Sequence, residues 1–82
     1  MTSNEKLLAA KKLATAWNNH YYRGNESLFM FRHETVGGQW GVRQYNCEGE
    51  SHVFWTIEGD ESGTYASTAT RMVCIDPILR SN

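Results

Sequence analysis

The sequence predicts an α+β fold in which an N-terminal amphipathic helix packs on a four-stranded antiparallel β-sheet, a meander of two hairpins. Three observations lead to this prediction. Apolar side chains recur at helical spacing near the N-terminus, the pair Gly37-Gly38 separates two runs rich in aromatic and β-branched residues, and two more such runs follow. With 82 residues, of which 40% are apolar, we expect one small globular domain, residues 1–82.

The first element is a helix over residues 3–20. A side-chain oxygen of Thr2, Ser3 or Asn4 can cap its first turn. Lysine and asparagine side chains occupy one side of the helix, and small or apolar side chains share the other. The residues of the apolar side are Leu7, Ala10, Leu13, Ala14, Trp17 and Tyr21. Because alanine leaves a smooth surface, this helix is expected to lie close to the sheet and build the core.

The pair Gly37-Gly38 predicts a two-residue turn between strands at residues 27–36 and 39–46, because glycine adopts the positive φ angles that such turns need. A turn of this length sets the register of the whole hairpin. The expected cross-strand pairs are Phe31 with Gln44, His33 with Val42, and Thr35 with Trp40.

Alternation along these strands divides their side chains between the two faces of the sheet. The face expected to build the core beneath the helix carries Phe29, Phe31, Trp40 and Val42. The opposite face carries Arg32, Glu34, Arg43 and Tyr45. Since a single helix covers only one face, we expect the second face to be solvated or to contact a partner.

The second hairpin is predicted from strands at residues 52–58 and 64–75, the latter long enough to bend. Glycine and acidic residues between them are typical of a turn. The pair Asp76-Pro77 ends the last strand, because proline has no N–H to donate to a neighbouring strand. Val53, Trp55 and Ile57 share one face of the third strand, and Ile78 and Leu79 are expected to fold back on the core.

The net charge of −1 is unevenly distributed along the chain. Residues 1–23 contain four basic residues and one acidic residue, whereas residues 46–64 contain five acidic residues and no lysine or arginine. We call these five the acidic rim: Glu48, Glu50, Glu58, Asp60 and Glu61. A weakly acidic chain lacks the basic signature of a general nucleic-acid binder.

No motif in the sequence indicates catalysis, a metal site or a cofactor. The histidines and cysteines lack the spacing of a zinc site, and no Gly-x-Ser-x-Gly nucleophile motif occurs. The N-terminal residues lack the apolar core of a secretory signal, and no apolar run approaches the ~18 residues of a membrane span. We therefore expect a cytoplasmic, non-enzymatic protein that contacts no membrane. Cys47 and Cys74 are expected to stay reduced, with a disulfide between them as the alternative.

These observations favour a small protein-binding module that uses the second sheet face or the acidic rim. Small accessory proteins of this kind are often encoded by phages and other mobile elements, so we expect an inhibitor or adaptor that occupies a site on a host protein. The alternative is single-stranded nucleic-acid binding through aromatic and arginine side chains of the sheet. A homodimer is also considered, because so short a domain buries only about 60% of the surface of its unfolded chain.

Overall fold

The computed structural model describes residues 1–23, 26–27, 29–46 and 50–80, and it shows an N-terminal helix on one face of an antiparallel sheet. The elements are helix α1 (Ser3–Tyr21), strands β1 (Tyr22–Arg23), β2 (Glu26–Ser27), β3 (Phe29–Val36), β4 (Gln39–Asn46), β5 (Ser51–Asp60), β6 (Gly63–Ser67) and β7 (Met72–Cys74), and helix α2 (Asp76–Arg80). Strands β3 to β7 form a five-stranded meander in chain order, and β1 pairs with β2 separately. The predicted α+β class is confirmed.

Helix α1 has the predicted extent, and the residue that caps it is Thr2. The N–H of Glu5 donates to Thr2 Oγ1 over 3.1 Å, and the N–H of Thr2 donates to Glu5 Oε1 over 3.0 Å. This reciprocal pair is a capping box, which satisfies N–H groups that have no partner within the helix. The hydrogen bond from the Thr2 backbone is the main cause that lowers the pKa of the Glu5 carboxyl.

The β3–β4 hairpin has the register predicted from its turn. Gly37 and Gly38 adopt φ angles of 59° and 79°, and Phe31 pairs with Gln44. Phe31 and Val42 are buried beneath α1, as predicted, whereas the side chain of Phe29 lies outside the described part of the structure.

Trp40 lies on the helix-covered face, but the prediction that it builds the core is wrong. It is half-buried beside His33, with the two ring centroids 6.1 Å apart. The buried residues of α1 run from Ala9 to Ala14. Because Trp40 adjoins the hairpin turn, it lies beyond this buried section of the helix.

The predicted fourth strand is divided into β6 and β7, so the main sheet has five strands rather than four. Thr68 causes the interruption. Its Oγ1 accepts hydrogen bonds from the N–H groups of Thr70 (3.3 Å) and Arg71 (3.1 Å), and its own N–H donates to the Arg71 carbonyl over 2.8 Å. A threonine hydroxyl that bonds to nearby backbone competes with strand pairing and favours a turn. The chain therefore reverses direction within residues that have high β-propensity.

The core lies between α1, the sheet and the short helix α2. Leu13, Val42, Ile57 and Ile75 are its largest fully buried side chains. Ile78 and Leu79 pack against this core from α2, as predicted from the sequence. Neither helix in the described residues is long and apolar enough to cross a membrane.

Asn18 joins the C-terminal half of α1 to the edge of the sheet. Its side-chain amide donates to the Phe31 carbonyl over 2.8 Å and accepts from the Phe31 N–H over 2.7 Å. Strand β3 is an edge strand, so these backbone groups of Phe31 point away from β4. The amide of Asn18 thus replaces a neighbouring strand at this position and protects part of the edge.

We expect Asn18→Ala to lower the free energy of unfolding by about 1–3 kcal/mol, because it leaves two partly buried backbone groups of Phe31 without their partner. Urea denaturation followed by tryptophan fluorescence measures this change. Asn19→Ala, which alters the next and exposed residue of the same helix, is the matched control and should change stability by under about 0.5 kcal/mol. Equal effects of the two substitutions would contradict the assigned role.

Candidate functional site

The second face of the sheet is not covered by either described helix, because α1 and α2 both pack on the face that carries Val42 and Ile57. Strand alternation and the cross-strand register assign residues to this uncovered surface, which we call the open face. Its members on β3, β4 and β5 include Met30, Arg32, Glu34, Val36, Arg43, Tyr45 and Phe54. The structure therefore brings together the four residues that the sequence placed on this face.

Glu34 is the central group of the open face. Its Oε1 accepts a hydrogen bond from Arg43 Nε over 2.7 Å, and the Tyr45 hydroxyl donates to the same oxygen over 3.1 Å. The side chains of Arg43 and Glu34 are 25% and 34% exposed, so this ion pair is partly shielded from water. A short charge-assisted contact of this kind holds both partners in one geometry.

Two arginines stack on aromatic rings beside this carboxylate. The guanidinium carbon of Arg32 lies 5.8 Å from the ring centroid of Tyr45, and that of Arg43 lies 5.1 Å from the ring of Phe54. Both distances are within the range of cation–π attraction. The open face thus carries a connected polar and aromatic cluster whose side chains constrain one another.

Phe54 is the member of this cluster that the sequence interpretation missed. The signal was present, since Val53, Trp55 and Ile57 on one face of the strand require Phe54 on the other. Its ring lies over Gly41, where an added Cβ would be 2.6 Å from Phe54 Cζ and would also collide with the Trp55 carbonyl. Gly41 therefore makes room for a neighbouring ring.

The acidic rim does not form one surface in the described residues. Glu58, Asp60 and Glu61 lie together at the β5–β6 turn, whereas Glu50 precedes the other end of β5. A strand of ten residues spans about 33 Å, so these groups are far apart. Glu48 lies outside the described residues.

Asp60 stabilises the conformation of the β5–β6 turn through its side chain. Its Oδ1 accepts hydrogen bonds from the Ser62 hydroxyl over 2.6 Å and from the Ser62 N–H over 2.8 Å. These two bonds, the side-chain one first, lower the pKa of the Asp60 carboxyl. An aspartate that bonds to backbone two residues ahead is typical of a turn.

The described residues contain no group of three or more His, Cys, Asp or Glu side chains arranged to hold a metal ion. Cys74 is exposed, and its thiol donates to Asp76 Oδ2 over 3.6 Å. Cys47 lies outside the described residues, so the predicted state of the two cysteines stays a prediction.

Comparison with known proteins does not assign a family. Scans against protein-family models, curated proteins and solved structures found no match to this chain.

We expect Glu34→Gln to lower the pKa of Tyr45. Burial of the phenol raises that pKa above its ordinary value of 10.0, and the hydrogen bond and negative charge of Glu34 raise it further. Glutamine removes the negative charge, so ionisation of Tyr45 becomes easier and its titration moves to lower pH. NMR titration of a chain with ¹³C-labelled tyrosine measures this shift, with Tyr45→Phe to assign the signal. Glu61→Gln, in the exposed turn, should leave the pKa of Tyr45 unchanged, and an unchanged value in Glu34→Gln would contradict the contact.

Proposed function

We propose that this chain is a small non-enzymatic protein-binding module that contacts another protein through its open face. The observation that carries the proposal is the cluster of Arg32, Glu34, Arg43, Tyr45 and Phe54 on a sheet face that no described helix covers. Tyrosine and arginine are, together with tryptophan, the residue types most enriched among the energetically dominant positions of protein interfaces.

The cluster is prepared for binding because its side chains are already restrained. Holding a flexible side chain in one conformation on association costs about 0.5–1.5 kcal/mol. Glu34 holds Arg43 and Tyr45 through hydrogen bonds of 2.7 and 3.1 Å, so part of this cost is met on folding. A partner therefore meets a surface close to its bound shape.

The charges of the β3–β4 part of the open face indicate the chemistry of the partner. Strand alternation also places the exposed Glu58 of β5 on this face, near the β5–β6 turn. Arg43 is paired with Glu34, whereas Arg32 is exposed and forms no ion pair within the described residues. Met30 and Val36, at 38% and 42% exposed, add apolar area on the same strand. These features support a partner that presents a carboxylate to Arg32 and apolar side chains to Met30 and Val36.

The size of the face permits a specific complex. Strands β3 and β4 have eight residues each, and with five strands the flat footprint of the sheet measures roughly 500 Å². A standard interface buries about 800 Å² of accessible surface on each partner, and projecting side chains give a sheet more accessible surface than its flat footprint. An inhibitor or adaptor that occupies a site on a host protein is consistent with this size.

The nucleic-acid alternative has weaker support from the geometry. Trp40 and Trp55 belong to the helix-covered face, so the open face offers Tyr45 and Phe54 as its stacking rings on β4 and β5. The charge of Arg43 is compensated by Glu34. Binding to a polyanion needs several uncompensated cations along its path.

The test uses Arg32→Glu and Tyr45→Ala, with Arg80→Glu as the matched control on α2. Proteins captured from a lysate of the source organism are identified, and the affinity of each purified candidate for every variant is measured by calorimetry. We expect Arg32→Glu and Tyr45→Ala to weaken binding of the true partner about tenfold or more, because each removes an interface anchor. Arg80→Glu should bind like the unmodified chain.

Equal affinities of all three folded variants for the partner would show that the open face is not the binding surface. Light scattering of the purified chain tests self-association in the same experiment. A dimer that Arg32→Glu dissociates would show that the occupant is a second copy rather than a different protein. Fluorescence quenching by short single-stranded oligonucleotides, lost in Tyr45→Ala, would favour the nucleic-acid alternative instead.

A further inference from the structure

A groove on the helix-covered face of the sheet combines four aromatic rings with a guanidinium group. It has a volume of about 420 Å³ and lies at the end of the sheet remote from the Gly37-Gly38 turn. The residues used in the argument are Trp17, Tyr21, Phe31, Gln44, Trp55 and Arg71. Sites for small organic molecules have volumes of about 300–1,000 Å³ and predominantly apolar walls.

The aromatic rings of the groove wall pack against one another. The ring of Trp17 makes edge-to-face contacts with Phe31 and Trp55, each with ring centroids 5.2 Å apart. The indole N–H of Trp55 donates to Gln44 Oε1 over 3.4 Å, which orients that ring further. Trp55 is only 6% exposed and forms the base of the groove, whereas Tyr21 is 47% exposed at its rim.

Arg71 lies over this wall, and no carboxylate of the described residues compensates its charge. Its guanidinium carbon is 5.5 Å from the ring centroid of Trp55, and its backbone is held by the hydrogen bond to Thr68 Oγ1. Within the described residues, Arg71 makes no ion pair, and the other lining residues named above carry no charge. One edge of the guanidinium therefore remains available to an anion while its carbon stays near Trp55.

We propose that this groove binds a small planar aromatic molecule that carries a carboxylate. The ring of the ligand packs against Trp17 and Tyr21, and its carboxylate accepts hydrogen bonds from Arg71. A planar ring is favoured because the wall consists of aromatic surfaces, and a carboxylate matches the fork of donors of a guanidinium. A cationic ligand is disfavoured, because Arg71 already occupies the face of Trp55.

This site is separate from the proposed protein-binding surface. The groove and the open face lie on opposite sides of the sheet, and they share none of the residues on which the two proposals depend. An experiment that contradicts one proposal therefore does not contradict the other.

The test is an NMR titration of the indole N–H signals of the three tryptophans. Trp17 and Trp55 line the groove, and Trp40, beside the Gly37-Gly38 turn, is an internal reference. The probes are 2-naphthoate, the neutral 2-naphthamide and the cationic 2-naphthylmethylammonium. We expect saturable shifts at Trp17 and Trp55 but not at Trp40, and binding of naphthoate about three- to tenfold tighter than that of the amide.

Two variants distinguish the contribution of the Arg71 charge to ligand binding from that of the aromatic wall. Arg71→Gln should abolish the preference for naphthoate over naphthamide while both still bind, and Arg80→Gln, an exposed arginine outside the groove, should retain the preference. Trp17→Leu should weaken both probes. The proposal is overturned if none of the probes shifts Trp17 and Trp55, if the ammonium binds as tightly as naphthoate, or if Arg71→Gln keeps the preference for the acid.

Discussion

The rest of the structure depends on how little of the sheet one helix can cover. A helix is about 10 Å wide, whereas five strands at about 4.8 Å spacing span about 19 Å between the outer two. Helix α1 therefore packs mainly on β3 and β4, and α2, with Ile78 and Leu79, covers the region of β6. Neither described helix covers the other face of the sheet, and a groove remains between α1 and the β6–β7 turn.

The two uncovered regions differ in the way that their charges are arranged. On the open face, Glu34 neutralises Arg43 and orients Tyr45, so an aromatic and charged surface is held in place without a covering helix. In the groove, Arg71 covers Trp55 with no carboxylate beside it among the described residues. The first arrangement suits a broad protein contact, and the second suits one small anion. Both surfaces are accessible because the two helices together cover only part of the sheet.

Much of the first hairpin could be predicted because its determinants are local. Two glycines set the turn, the turn sets the register, and alternation then assigns Arg32, Glu34 and Arg43 to one face. The same alternation, applied to β5, would have placed Phe54 on the open face. The division of the last predicted strand was missed because the Thr68 hydroxyl outweighs the β-propensity of its neighbours. The acidic rim was expected to form one surface, but the length of β5 separates Glu50 from the acidic residues of the β5–β6 turn.

Local pattern was sufficient to specify the helix, the hairpin turn, the division of faces and the membership of the open face, because each depends on residues a few positions apart. Long-range packing was needed to place Trp40 outside the core, to join Asn18 to the edge at Phe31, and to bring Arg71 over Trp55. These contacts link residues from different elements, and their geometry follows from where α1 crosses the sheet. No periodicity in the chain encodes that position.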